Sequence, residues 1–559
     1  MSKRIISVFL ALLMLIPSIA FASAQSDSDC GFAVATDLHY VHPLSDADAR
    51  WSDTMEMTFN SSGSMQNESG FIIDEFLRQC ANNKDCDYVF ICGDIVTYGR
   101  DRVTDHEDVA AKFRKFEKET GKQVYVINGN HDNGVGSQTD SAKFREIYNE
   151  FGYDNAFSVD ETCCSYATEL NDKYVLIALD SFDEQYMLAN GVDTARLKWV
   201  KEQTDYAKKV GKYPIVIMHH NLLEHQPLEA LINDKYIVSM PHTVATLFAQ
   251  WGIKLVFSGH THMNDTASLT TASGKVIYDF CNAALNSYPL NYKTFTLTDE
   301  KITYETKSIE NIDFNALTSV VKTGYDEHEL YLLKNNFKEF AKEYNTGRGL
   351  SFIDNGITPD FIGIEKDSII YEPVKKITDE LSVLLKKPLY GENGISAIAA
   401  EYSVNIPQAD YEYPRDLITE LYSDVVTGGC SYEYNSAEIQ IVTGIIETAI
   451  HLALSDASEK ELLALAKEIN PKTTVASRSL AAAEYLALAI AYPFIHEYIN
   501  QTDGIDNIQG TLDGYGTADS LGLSNLGTAA ENNVNRISLY FEMFIHFIKK
   551  SFSVLIGIA

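Results

Sequence analysis

Positive charge is scarce in this 559-residue chain: 45 Lys and Arg stand against 78 Asp and Glu, a formal net charge of −33. Basic residues gather only into isolated pairs such as Lys208-Lys209. Phosphate backbones are bound through clustered Lys and Arg, so nucleic acid is excluded as a partner. The same negative field opposes any anionic substrate, and a site that processes phosphate would need local positive charge of another origin. Cysteine is sparse too. Eight Cys in so long a chain do not make the disulfide framework that small secreted domains require, and none stands in a CxxC pair or with zinc-finger spacing. Cys80 and Cys86 flank a short turn and could pair after export, whereas the adjacent Cys163 and Cys164, and Cys92 inside a predicted strand, read as inert thiols. There is no HExxH, no GxSxG elbow and no Walker A lysine, which removes zincin, serine-hydrolase and P-loop chemistry.

What is present points to a folded, exported, multidomain chain. A hydrophobic share of 45% with 32 Tyr and 27 Phe supports packed cores, and the length exceeds what one core usually organises. Lys3 and Arg4, an apolar run from Ile5 to Phe21 and the small residues Ala22-Ser23-Ala24 make a secretory signal peptide over residues 1–24. This places the mature chain outside the cytoplasm, secreted or in the cell envelope. Sequons at Asn60, Asn67, Asn264 and Asn500 matter only if a eukaryote exports it.

From residue 25 to 309, short β-rich runs alternate with amphipathic helical stretches, the pattern of an α/β layered domain. Predicted strands are Phe32–Thr36, Tyr88–Cys92, Val124–Asn128, Tyr174–Leu179, Ile215–Met218, Leu255–Ser258 and Val276–Phe280, with a hairpin from Thr294 to Lys307. Residues 310–530 change to helical periodicity, with Ile439, Val442, Ile445, Ile446, Ala449 and Ile450 recurring at steps of three and four. Further helices are predicted from a capping box at Ser458 and Glu461 up to Pro471, and from Ser479 to Tyr492. Gly504 to Gly527 is rich in Gly, Asp, Ser and Thr and reads as a linker or long loop. Residues 531–559 form an apolar C-terminal helix that either packs on the α domain or makes peripheral contact with a membrane.

Polar clusters fall just past the strand ends: Asp37-Leu38-His39, Gly93-Asp94, Gly129-Asn130-His131-Asp132, Met218-His219-His220-Asn221 and Gly259-His260-Thr261-His262. Imidazole and carboxylate on short loops beside rigid strands suit a borderline-soft divalent metal. The glycines before Asp94, Asn130 and His260 would let the backbone turn sharply there. One such cluster means little, but five in order at strand ends are a strong signal. Together they resemble the five motifs of the calcineurin-like metallophosphoesterase superfamily, over about residues 31 to 265. The stretches His219 to His225 and Asn282 to Tyr292 are similar to bacterial exported members. Two departures set the chain apart from the purple acid phosphatase branch. His39 stands where that branch has a non-ligand residue, and Tyr98 lies one position too far from Asp94 to be its ligand tyrosine.

The resemblance implies a two-sheet αββα sandwich, followed here by a mainly α C-terminal domain, and two divalent or trivalent metal ions (Zn, Mn or Fe) at one sheet edge. It implies Asp37, His39 and His262 on the first ion, Asn130, His219 and His260 on the second, and Asp94 bridging them, with His220 outside the ligand set. It further implies hydrolysis of small phosphate mono- or diesters by a metal-bridging hydroxide, the ions supplying the positive charge that the surface lacks. His131 would stabilise the transition state or protonate the leaving alkoxide, and Asp132 would orient it. His106, His242, His328, His451, His496 and His546 are isolated and read as packing or surface residues. The alternative reading is a cell-surface binding protein that uses the metallophosphoesterase domain as a structural platform. Oligomeric state is not readable.

Overall fold

Strands buried on both faces read as unbroken apolar runs, because parallel neighbours and covering helices leave neither face to water. Ala33, Val34 and Ala35, and likewise Val89, Phe90 and Ile91, show no exposed surface. The computed structural model describes residues 30–42, 63–184, 191–225, 235–321, 324–359, 366, 371–429, 432–433, 435–455 and 505–515. The predicted signal peptide, the helices predicted between Ser458 and Tyr492, the predicted C-terminal helix and residues 43–62 lie outside the described residues.

Thirteen strands occur in the described chain: β1 (Cys30–Ala35), β2 (Tyr88–Cys92), β3 (Gln123–Ile127), β4 (Ser158–Val159), β5 (Tyr166–Glu169), β6 (Tyr174–Ala178), β7 (Tyr213–Ile217), β8 (Leu255–Ser258), β9 (Asp265–Thr270), β10 (Val276–Cys281), β11 (Asn291–Leu297), β12 (Lys301–Ser308) and β13 (Gln509–Asp513). They form a six-stranded sheet, β13-β12-β11-β1-β2-β3, and a seven-stranded sheet, β4-β5-β6-β7-β8-β10-β9. β1, β2 and β3 run parallel in the first, as do β6, β7, β8 and β10 in the second. The sheets meet through aromatic side chains: Phe32 lies 4.6 Å from Phe90 and 5.4 Å from Phe257, and Phe257 4.8 Å from Phe295, between ring centroids.

Helices α1 (Ser69–Asn82), α2 (Val103–Thr120) and α3 (Ser141–Ile147) precede α4 (Thr194–Val210) and α5 (Pro241–Trp251). On α2 the buried positions His106, Val109, Ala110, Phe113 and Phe116 follow one helical stripe, and Gly121 ends the helix in the left-handed region. α1 and α2 supply Phe76 and Phe113 to the core that fills the first sheet, while α4 and α5 supply Val200 and Phe248 to a separate core on the outer face of the second. The layers are therefore α, β, β, α. Of the helices from α6 (Phe314–Val320) to α13 (Ala437–Ser455), the first three add Leu317, Leu332, Leu333, Phe337 and Phe340 to the first core, and the later ones enclose a third core around Leu384, Leu417 and Ile445.

Residues 505–515 differ from the expected linker. Gln509–Asp513 is an antiparallel edge strand with Leu512 opposite Ile302, and the Tyr304 ring lies where a side chain at Gly510 would have to go. Its Gly and Asp content belongs to an edge strand hugging an aromatic ring. Tyr515 reaches on to the other sheet, its ring 4.9 Å from that of Tyr213 and its hydroxyl donating to the Pro214 carbonyl at 3.0 Å. The helical region is thus inserted between two neighbouring strands.

The seven described cysteines that remain free are all buried, and Cys80 and Cys86 lie thiol to thiol. The Asn264 sequon is closed, since its side chain is buried and donates to the Thr427 and Asn507 carbonyls.

His106 is buried between the Tyr148 hydroxyl at 3.0 Å and the Asp132 carbonyl at 2.9 Å. Burial lowers its pKa from 6.5 to about 4. The folded form then binds fewer protons than the unfolded form between these values, so this contribution is complete above pH 6.5 and is lost as pH falls towards 4. We expect wild-type stability to drop relative to His106→Gln across that window, by up to about 3 kcal/mol, in urea unfolding at stepped pH. Equal pH slopes for the two proteins would contradict this.

Candidate metal centre

Parallel strands deliver their C-terminal loops to one edge, and the two sheets bring five such loops together. Backbone bonds tie the loops to one another: Asp37 N–H donates to the Gly93 carbonyl at 3.0 Å, His39 N–H to the Asp94 carbonyl at 2.9 Å, and Gly259 N–H to the His219 carbonyl at 2.9 Å. The glycines act differently from their expected role. Only Gly93 has positive φ; a side chain at Gly129 would strike Asp94 and His219, and one at Gly259 would strike Thr36 and Asp37. They allow close approach of loops from opposite sheets. The left-handed backbone falls instead on the functional residues, with φ of 51° at Asp37, 41° at His39, 47° at Asp94, 68° at His260 and 59° at His262. Such conformations cost about 1–3 kcal/mol each and gather where surrounding structure and function enforce them.

Asp94 stands at the middle. Its Oδ2 is 3.2 Å from His219 Nε2, 3.7 Å from His39 Nε2 and 4.0 Å from His131 Nε2. On one side, His262 Nε2 lies 3.1 Å from Asp37 Oδ1 and 3.3 Å from His39 Nε2. On the other, His219 Nε2 lies 3.1 Å from Asn130 Oδ1, and the His219 and His260 rings are 4.9 Å apart. Ligand atoms of Asp37, His39 and His262 converge within 4.8 Å of one another, as do those of Asp37, Asp94 and His219, and those of His219, His220 and His260. His220 is therefore within ligand reach, although its Nδ1 is 3.0 Å from the Ser181 hydroxyl.

The donor set fits cations. Asp37 and Asp94 are buried, and no Lys or Arg pairs with either among the described residues. Burial opposes ionisation of Asp94, yet His219, His131 and His39 hold its carboxyl well below the usual range. Burial likewise opposes charge on His219, but Asp94 and Asp37 lift it to about 9. His260 is pushed down to about 3 by burial and by the charge on His219. The cluster thus draws positive charge to its centre, where metal ions would supply it.

His131 is placed by Asp94 and Thr97: its N–H donates to Asp94 Oδ1 at 2.8 Å and its Nδ1 lies 2.9 Å from the Thr97 carbonyl, which leaves Nε2 facing the centre. The role expected of Asp132 needs correcting. Its carboxylate accepts from the amides of Gly129 at 2.7 Å and Val96 at 3.1 Å, so it shapes the loop while the Thr97 carbonyl orients the His131 ring. Tyr98, as expected, points elsewhere and bonds Gln66. His242 and His328 pair at the surface with Glu224 and Glu343, and His451 stacks on Tyr402.

Residues the sequence reading passed over include Ser181, Tyr236 and Arg100. Ser181 follows β6 just as the recognised clusters follow their strands, so the same rule could have found it. Tyr236 lies 4.4 Å from the His260 ring, and Arg100 donates to the Asn130 and Asn133 carbonyls; neither carries a sequence signal.

Residues 31–264 match the family model for calcineurin-like phosphoesterases, a span that holds every residue of this centre. They are a calcineurin-like phosphoesterase domain. Solved structures similar to the chain include a dimetal phosphatase from Danio rerio (10% identity, 50% of this chain and 96% of that one, TM-score 0.34) and phosphopantetheinyl hydrolase from Mycobacterium tuberculosis (11% identity, 46% of this chain and 91% of that one, TM-score 0.25). No curated protein matches the chain. The phosphoesterase domain is that of a metal-dependent hydrolase, and its two sheets with flanking helices are the sandwich the motifs implied.

Proposed function

We propose that this chain is an exported hydrolase of small phosphate mono- or diesters, working with two metal ions of the Zn, Mn or Fe type. Asp37, His39 and His262 would hold one, Asn130, His219 and His260 the other, and Asp94 both. The observation that carries this reading is the position of Asp94, with one carboxylate oxygen 3.2 Å from His219 and 3.7 Å from His39. When bound, such a pair acidifies water towards neutral pH and neutralises phosphoryl oxygens. Export is supported by the charged, apolar and small-residue sequence of residues 1–24.

The protein's own residues then orient substrate and move protons. His131 Nε2 borders the centre with its side chain 38% exposed, so it can meet both the phosphoryl group and solvent. Desolvation lowers its pKa against the pull of Asp94. The lowered pKa makes its imidazolium a readier donor to the departing alkoxide.

The test is hydrolysis of aryl and alkyl phosphates by metal-loaded protein. His131→Ala should retain metal and lose about 10²–10⁴-fold in kcat on alkyl esters, with a smaller loss on nitrophenyl esters, whose leaving group needs no proton. Equal losses on both would remove His131 from proton transfer. No hydrolysis of any ester by metal-replete wild type would overturn the enzyme reading.

A further inference from the structure

The His219 and His260 loops share a buried support outside the ligand set. Asp279, on β10 with no exposed surface, lies between them. Its Oδ2 accepts the amides of Leu222 at 2.7 Å and Leu223 at 2.9 Å, and its Oδ1 accepts the Ser258 hydroxyl at 2.8 Å. Asn221 closes the bridge, donating from Nδ2 to Ser258 Oγ at 3.0 Å and to the Gly259 carbonyl at 3.1 Å. One carboxylate therefore anchors the stretch just after His219 and the residue two before His260.

The anchor is itself electrically balanced. His225 lies between two carboxylates, Nδ1 2.7 Å from Asp265 and Nε2 3.2 Å from Asp279. Burial opposes its charge, but Asp279 and its neighbours hold it as imidazolium. Buried Lys293 lies close to Asp265, bonded to Asn264 and the Cys281 carbonyl, and Asn507 donates to Asp265 at 3.0 Å. Two acids and two bases thus form one buried cluster behind the metal loops. An amide at position 279 would lose one acceptor and the countercharge of His225, and a partly satisfied buried network is costly.

We infer that Asp279 is the positioning residue for the metal held by Asn130, His219 and His260, and that the metal held by Asp37, His39 and His262 depends on it less. Although His262 shares the loop of His260, the other two ligands of the second group lean on supports just after β1 and β2: Thr36 donates to Asp37 at 2.7 Å and Thr97 to the His39 carbonyl at 2.9 Å. The inference rests on the two-metal reading above.

Full-length protein stripped with chelator and titrated with Mn²⁺ in a calorimeter tests it. Wild type should take two equivalents. Asp279→Asn should take one at near wild-type affinity and the other about 10–100-fold more weakly, with kcat for an aryl phosphate falling and KM little changed. Ser258→Ala, which removes the hydroxyl bond to Asp279 and the bond from Asn221 but leaves both Asp279 amide bonds, should weaken the same equivalent by less. Folded Asp279→Asn that binds both equivalents as wild type does, or weakens both alike, would overturn the inference. If that variant does not fold, an unchanged weaker equivalent in Ser258→Ala would overturn it. Fewer than two equivalents in wild type would sink the two-metal reading itself.

Discussion

Asp94→Asn should lower phosphate-ester hydrolysis by at least about 10²–10³-fold and leave the purified protein with no more than one tightly held metal. The substitution keeps the shape of the side chain and removes its charge. Asp94 is the residue whose oxygen faces both His219 and His39, and its other oxygen accepts the His131 amide. An amide cannot offer oxygen to the metals and to that N–H together, so the loss reaches both ions and the placement of His131. Elemental analysis beside initial rates on an aryl phosphate checks both parts. A variant that keeps two metals and more than a tenth of wild-type activity would show that Asp94 bridges nothing.

Two deletions should behave in opposite ways. A chain ending at residue 309 should fail to fold cooperatively, whereas one in which a short turn replaces residues 310–504 should melt earlier, having lost Leu317, Leu332, Phe337 and Phe340 from the first core, but should keep its metal centre. The reason is the pairing of β12 with β13: Glu305 stands opposite Gln509, and Thr306 Oγ1 donates to the Asn507 carbonyl at 3.0 Å, so entry to and exit from the insertion meet. Ending the chain at 309 bares the β12 edge, removes Tyr515 from Tyr213 and leaves Asp265 without Asn507. Those losses sum to on the order of 5 kcal/mol, comparable with the whole stability of many domains. Thermal melts and metal stoichiometry of the two proteins decide the matter. A cooperative melt from the shorter chain would show that β13 is dispensable.

The candidate ligand cluster and the central strands were legible because they obey short-range rules: an apolar run buried on both faces, then a polar residue where the run stops. Asp37, Asp94, Asn130, His219 and His260 all show it. What escaped depends on distant pairing. Gln509–Asp513 has the composition of a loop, and only Ile302 and Tyr304 on β12 make it a strand. Asp279 lies inside a predicted strand, where a lone carboxylate reads as a solvent-facing position until Leu222, Leu223 and Ser258 are seen around it. Asp132 was assigned to its sequence neighbour His131, but side chains adjacent along a loop commonly diverge, and its acceptors were claimed by backbone amides.

The late return of β13 also sets an order of assembly. During synthesis every proposed metal ligand is made before residue 263, yet the strand that covers the β12 edge and the asparagine that meets Asp265 emerge only after residues 310–504. A nascent chain therefore carries a finished set of ligands on an unfinished sheet, with an open strand edge of the kind that recruits other chains. Cofactor loading should accordingly be a late event in the life of each molecule, following completion of the chain.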